Sequence, residues 1–170
     1  MRKIILGFII SISIATMNAQ EYGVKFGKVS KEDLSLNVYE ADTTAEAVIL
    51  YEEGMLKYDL LKDQYSYYYK AKVKILKKDG THFSNITIPT RIYEKQKETL
   101  SNISATSYNL KDGKITKSEL TKQHIENEQI NEHLQLTKFT IPEVYEGTII
   151  EYKYTITSDF IENIPDMKIQ

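Results

Sequence analysis

Three histidines, His82, His124 and His133, are the side chains of this sequence that titrate near neutrality, so any acid–base or metal chemistry would start with them. His124 and His133 stand nine residues apart in His124-Ile125-Glu126-Asn127-Glu128-Gln129-Ile130-Asn131-Glu132-His133. On a helix that spacing puts the two imidazoles on opposite faces, where they could not share a metal. His124 and Glu128 would form an i, i+4 pair, but one His and one Glu fall short of a zinc ligand set. His82 follows a turn glycine by two residues, the setting of a surface histidine. No cysteine occurs, which removes a thiol nucleophile and every thiolate metal site. A Gly-x-Ser-x-Gly elbow, a Ser-x-x-Lys with its usual partners and a Gly-rich phosphate loop are all missing. Glu143, Glu146 and Glu151 flank a turn and a strand, where solvated charge is the ordinary explanation and a glycosidase pair a distant second. The sequence therefore assigns no catalytic, cofactor-binding or metal-ligating residue, and it implies no cofactor.

What is left is a surface for contact. Tyr65 to Leu76 alternates strictly: Tyr65, Tyr67, Tyr69, Ala71, Val73 and Ile75 share one parity, and Ser66, Tyr68, Lys70, Lys72 and Lys74 the other. Strand side chains point to opposite faces with a period of two, so the pattern predicts a long strand with one apolar face and one wet, basic face. Tyr68, Lys70, Lys72 and Lys74 are the candidate contact face. A tyrosine among lysines can stack on a sugar or meet a protein partner. It also serves as a cross-strand cover for lysine stems.

The elements that must carry this strand read as antiparallel β-structure. Ser30-Lys31-Glu32-Asp33 predicts a short capped helix. Ala47-Val48-Ile49-Leu50-Tyr51 reads as a short buried strand closed by Glu52-Glu53-Gly54. Asp79-Gly80 after the long strand predicts a hairpin, with a return strand near His82 to Ile88 ended by Pro89. Tyr93 to Leu100 is charged and reads as one or two helical turns. Asn102 to Leu110 reads as a strand, Asp112-Gly113 as a second tight turn, and Ile115-Thr116 as its extended continuation. Ser118 to Leu136 has helical composition but sparse apolar residues, so it reads as irregular or partly helical. Lys138 to Pro142 is expected as an edge strand and Thr148 to Ser158 as the last clear strand. Asn163 to Gln170 looks like the start of another strand. The fold class is all-β, an antiparallel sandwich or strongly curved sheet with one or two short helices.

The N-terminus reads as a secretory signal over residues 1–19: Arg2 and Lys3, an apolar run from Ile4 to Ala15, then a small Ala19 before the cut. That run is about 12 residues, short of the roughly 20 that cross a bilayer. Residues 20–170 are expected to form one β domain, incomplete at its C-terminus. An exported chain without cysteine has no disulfide framework and must rely on its core. Lys+Arg 22 against Asp+Glu 24, with Arg2 and Lys3 lost in the signal, argues against a nucleic-acid partner. Thirteen tyrosines and no tryptophan suit sheet faces and wet surfaces. No membrane span is expected after signal removal, and an open sheet edge could let the chain self-associate.

Several blocks, in order, resemble one family. They are Asp42-x-x-Ala45-x-Ala47-Val48-Ile49-Leu50-Tyr51, the run Lys72 to Gly80, the run Ile103 to Ile115, Lys138 to Pro142, Gly147-Thr148-Ile149-Ile150-Glu151-Tyr152-x-Tyr154, and Ile164-Pro165-Asp166-Met167-x-Ile169-Gln170. Residues 28–170 thereby resemble domain of unknown function 3857, though Met167 and Ile169 stand where that family shows an aromatic pair. The resemblance implies an all-β domain of exported proteins in Gram-negative bacteria that precedes a transglutaminase-like, papain-type domain. The cysteine, histidine and aspartate of such a domain have no counterparts here, so no catalytic residue carries over. The expected role is a non-catalytic accessory domain in the periplasm or at the cell surface, with a protein or glycan partner. The alternatives are the N-terminal fragment of a transglutaminase-like peptidase or cross-linking enzyme, and a carbohydrate-binding module.

Overall fold

The computed structural model describes residues 26–160. The signal read in residues 1–19 and the strand-like stretch Asn163 to Gln170 lie outside the described residues. The chain opens with a short helix, α1 (Lys31–Ser35), capped as expected. The Ser30 hydroxyl accepts from the Asp33 amide at 3.0 Å, and the Asp33 carboxylate accepts from the Ser30 amide at 3.2 Å. Two orphan donors of the first turn are thus satisfied reciprocally.

Nine strands follow: β1 (Ala47–Asp59), β2 (Gln64–Ile75), β3 (Asn85–Tyr93), β4 (Gln96–Lys97), β5 (Thr99–Lys111), β6 (Lys114–Glu119), β7 (Glu126–Asn131), β8 (Leu134–Thr140) and β9 (Ile149–Ser158). They form two antiparallel sheets, ordered β1-β2-β9-β5-β6 and β4-β3-β8-β7. The all-β expectation holds. Inner faces of both sheets build one core from Val73 and Ile75 of β2, Ile88 of β3, Ala105 of β5, Phe139 of β8, and Ile150 and Ile156 of β9. The alternation of β2 puts Ala71, Val73 and Ile75 on that inner face. The second Asp-Gly turn is also as expected: Asp112 (φ 52°) and Gly113 (φ 71°) join β5 to β6 with Lys111 paired to Lys114. Two consecutive positive φ values are what a two-residue hairpin turn demands.

Six expectations give way. Asp79-Gly80 makes no hairpin; Lys78–Ser84 is a 3₁₀ turn that carries the chain from β2 to β3 in the other sheet. The reason for glycine there is room: the Glu46 carbonyl, already accepting from Leu76 and Lys77 amides, lies where a side chain would start. Pro89 does not end its strand, because β3 pairs over that stretch with β8 alone and a missing N–H is tolerated beside an unpaired edge. Tyr93 to Leu100 is a tight turn through Glu94 (φ 53°) into β4, and Ser118 to Leu136 holds strands β6, β7 and β8 with a single 3₁₀ turn, Lys122–His124. Sheet pairing overrides the helical composition of both stretches. Ala47 to Tyr51 is no short buried strand but the start of a 13-residue strand at the sheet edge, running on through Gly54, whose missing side chain makes room for the Tyr67 ring. Conversely β8, expected at an edge, lies between β3 and β7.

A Cβ at Gly80 would sit 2.4 Å from the Glu46 carbonyl oxygen and 2.9 Å from its carbon. Gly80→Ala should therefore cost about 1–3 kcal/mol by forcing the crossover turn off the start of β1. Urea unfolding should show a lower midpoint with an unchanged slope; an unchanged midpoint would refute this packing.

Candidate functional site

The outer face of β2 is where the sequence placed a contact surface, and the structure divides it. Tyr68 and Lys70 stay at the surface, while Lys72 and Lys74 are 1% and 0% exposed. The wet, basic face is thus corrected to its first half. The cause is the segment from Phe26 through α1, which crosses the outer face of the five-stranded sheet. Leu34 packs there against Tyr108 and Ile149, with Val29 and Leu50 alongside.

Under this strap each ammonium has specific partners. Lys72 faces Glu151 directly across the β2–β9 ladder, with Nζ 2.8 Å from Oε1, and it donates to the Lys28 carbonyl at 2.8 Å. Glu151 Oε2 accepts from the Gly27 amide at 2.8 Å and from the Tyr108 hydroxyl at 3.1 Å. Oε1 meets Lys72 as an ion-pair contact without an aligned hydrogen bond. Glu151, expected as solvated charge, is 1% exposed. Burial and the neighbouring Glu151 push the Tyr108 hydroxyl up to about 12. Among the described residues Lys74 has no carboxylate partner; its Nζ donates to the carbonyls of Leu34 at 2.6 Å and Gly147 at 2.7 Å. Burial pulls its pKa down to about 8, against a smaller opposing pull from Asp33. A neutral amine keeps two N–H donors, which match the two carbonyls.

On the surviving outer half, Lys70 pairs with Glu53 and lies over the Tyr51 ring at 5.3 Å. Lys57 lies 5.5 Å from the centre of the Tyr68 ring. Tyr68 therefore holds a lysine ammonium of its own sheet over its ring, a contact within the sheet as in the plainer of its two readings.

A second buried cluster closes one end of the sandwich. Glu98, 4% exposed, accepts from the Arg91 amide at 2.8 Å, from Nε at 3.0 Å and from Nη2 at 2.6 Å. The same Nη2 donates to the Tyr65 hydroxyl at 2.8 Å, and the Phe160 ring lies 5.3 Å from the guanidinium. Burial would raise the Glu98 carboxyl, but the Arg91 hydrogen bonds outweigh it and hold the group below its ordinary value. Sequence reasoning missed this pair. The available signal was opposite charge at positions symmetric about the Glu94-Lys95 turn, which the helical reading of that stretch concealed.

The third feature is a groove of about 760 Å³ between the starts of β1 and β3. Val73 and Tyr152 line it along with Ala47, Val48 and Ile49 of β1 and Asn85, Ile86 and Thr87 of β3, and Tyr39, Asp42 and Phe83 stand at its walls. Tyr39, Ile49 and Phe83 are each more than two-fifths exposed. The histidines lie apart from one another and outside the groove lining, although the His82 ring lies 4.2 Å from that of Phe83 in its wall. His82 contacts the Asp79 carbonyl, His124 the Thr121 hydroxyl, and His133 neighbours Glu132. All three are exposed, and among the described residues no group of three or more His, Cys, Asp or Glu could hold a metal ion.

The sequence model of DUF3857, a domain of unknown function with solved structure, matches residues 62–166. No curated protein matches the chain. Among solved structures the chain is similar to one from Parabacteroides distasonis described as a "putative protease", with a TM-score of 0.54 and 15% identity. The similarity covers 66% of this chain and 23% of that one, and at this identity it shows a shared fold alone.

The lowered pKa of Lys74 makes an alkaline test. An unfolded lysine keeps its proton up to about 10.4. Between about 8 and that value the unfolded chain binds the extra proton, so the fold gains stability as pH rises. Urea unfolding at intervals from pH 7.0 to 9.0, kept below the ordinary tyrosine value of about 10, should show this gain, on the order of 1 kcal/mol. The gain should vanish in Lys74→Met, which also leaves two carbonyls without a donor. A parallel pH dependence in both proteins would refute the assignment.

Proposed function

The chain belongs to the DUF3857 family, and on that premise we propose that it is a non-catalytic, exported accessory domain that works by contact with another polypeptide. One observation carries this reading. The buried charged groups of the described residues are Lys72, Lys74, Glu98 and Glu151, and each is committed to partners within the fold. A catalytic acid, base or nucleophile has to reach substrate from a cleft. The groove instead presents aromatic and aliphatic side chains with Asp42 and Asn85, the composition of a contact surface. Export to the periplasm or cell surface is supported by Arg2 and Lys3 followed by the apolar run from Ile4 to Ala15.

A second reading has its own support. The similar region makes up 23% of a bacterial chain described as a protease by inference, which suits a domain that serves a larger hydrolase or transglutaminase-like enzyme. A carbohydrate platform on the lysine face has less support, because Lys72 and Lys74 are buried and Lys57 lies over Tyr68.

Incubation of the purified full chain with quenched-fluorescent casein, with an amine-donor cross-linking substrate and with peptidoglycan fragments should give no turnover above buffer. Turnover that co-purifies with the protein and falls in a single groove variant, Asp42→Asn, would overturn the accessory reading.

A further inference from the structure

Resting on that contact reading, we propose that the groove between β1 and β3 takes an extended strand of a partner protein, antiparallel to both, with alternate apolar side chains and a lysine or arginine near its carboxyl end. Among the described residues the two walls are strand edges without a neighbouring strand. Among the described residues β1 pairs with β2 alone, and β3 from Asn85 to Thr90 pairs with β8 alone. Half the amides and carbonyls of such an edge point away from its sheet and are free to bind another backbone. Strand addition of this kind takes its affinity from the main chain and its selectivity from pockets for alternate side chains.

The direction comes from the topology. Ala47 pairs with Ile75 at the end of β2, and the 3₁₀ turn then delivers the chain to Asn85, so β1 and β3 start together. At their far ends Tyr58 pairs with Tyr65, whose hydroxyl accepts from Arg91. The two edges therefore run the same way, and one strand can be antiparallel to both. Its carboxyl end would then lie at the start of β1, where Asp42 is the charged side chain of a lining that contains no lysine or arginine. The Asp42 carboxylate is fixed in place by the Thr44 hydroxyl at 2.6 Å and amide at 2.9 Å, bonds that also hold it below the usual carboxylate range. Lys77, the nearby cation, is already engaged by the Thr43 and Thr44 carbonyls. Apolar walls with one fixed anionic end select an apolar strand with a basic end.

Fluorescence anisotropy tests this with the full chain and labelled peptides alternating valine and threonine. They are about eight residues long, enough at roughly 3.3 Å per residue to pass the three lining residues of each wall and reach beyond both ends. One carries two lysines at its carboxyl end, one carries them at its amino end, and one carries two glutamates at its carboxyl end. The first should bind saturably and about three- to tenfold tighter than the others, the scale of a partly exposed charge contact. Asp42→Asn should erase that preference without changing the thermal midpoint, and Ile49→Lys should weaken all three peptides. Hydrogen exchange should slow at Ala47–Ile49 and Asn85–Thr87 on binding. Equal affinity for the three peptides, preference for the amino-terminal lysines, or saturable binding only of a second copy of the chain would each overturn the proposal. Absence of any binding would also overturn it, while leaving the non-catalytic reading to the turnover assay.

Discussion

Everything on the outer side of the larger sheet depends on giving two buried ammonium groups partners. Lys72 and Lys74 sit where the strand ladder leaves them no choice of face, because Val73 and Ile75 are fixed in the core. Leaving one such charge unpaired inside a protein costs several kcal/mol, on the order of 3–5 when a partner is removed. The fold meets that demand with one carboxylate and three backbone carbonyls, of Lys28, Leu34 and Gly147. Two of those carbonyls belong to the N-terminal strap. The strap is therefore held by polar bonds aimed upward from β2 and by Leu34 pressed down between Tyr108 and Ile149. Neither contribution alone explains its path.

Much of the fold was legible in local pattern, and most of the exceptions share one cause. The alternation in β2, the strand β9, the capping box at Ser30 and the Asp112-Gly113 turn depend on residues within a few positions of each other, and all are present. The burial of Lys72, Lys74 and Glu151 depends on residues 26–35, and the bonds from Lys72 to Lys28 and from Lys74 to Leu34 span 44 and 40 positions. No period-two pattern encodes a covering segment. Alternating lysines read as solvated because that is their ordinary state. Gly80 shows the same limit in another form. The sequence offered Asp-Gly as a turn, and a turn exists, but what makes glycine necessary is the carbonyl of Glu46, 34 residues earlier. The Arg91–Glu98 pair was within reach of local reading and was hidden by taking Tyr93 to Leu100 as helix.

Among the described residues, the sheet edges are where this architecture remains open. β1 is long and flanks solvent, and the devices that guard it are unevenly spread along its length. Its later half carries Glu52, Glu53 and Lys57, charges of the kind that discourage edge pairing. A bulge between Ile49 and Tyr51 breaks the ladder near its start. The first three residues, Ala47, Val48 and Ile49, carry no charge, and they are the ones that line the groove. On β3 the unpaired stretch includes Pro89, a residue compatible with an edge, while Ile86 and Thr87 lack any guarding charge. The unguarded lengths of the two edges coincide at the same end of the sandwich.

The bulge in β1 ties that open end to the buried charges. One extra residue in a strand reverses the parity of every residue after it. Ile49 sits opposite Val73 on the inner side, and after the extra residue Tyr51 sits opposite Lys72 on the outer side. Leu50 packs with the Leu34 cluster under the strap, while its neighbour Ile49 faces the groove. A regular strand would send alternate residues to alternate faces without interruption. The bulge instead turns Tyr51 outward after Leu50 and directs Glu52 to the inner face, where it accepts from the Tyr69 hydroxyl at 2.5 Å. The groove wall, Ala47 to Ile49, keeps the register that precedes the bulge, and the charged length after it takes the opposite parity, so the open and the guarded parts of this edge meet at one irregularity.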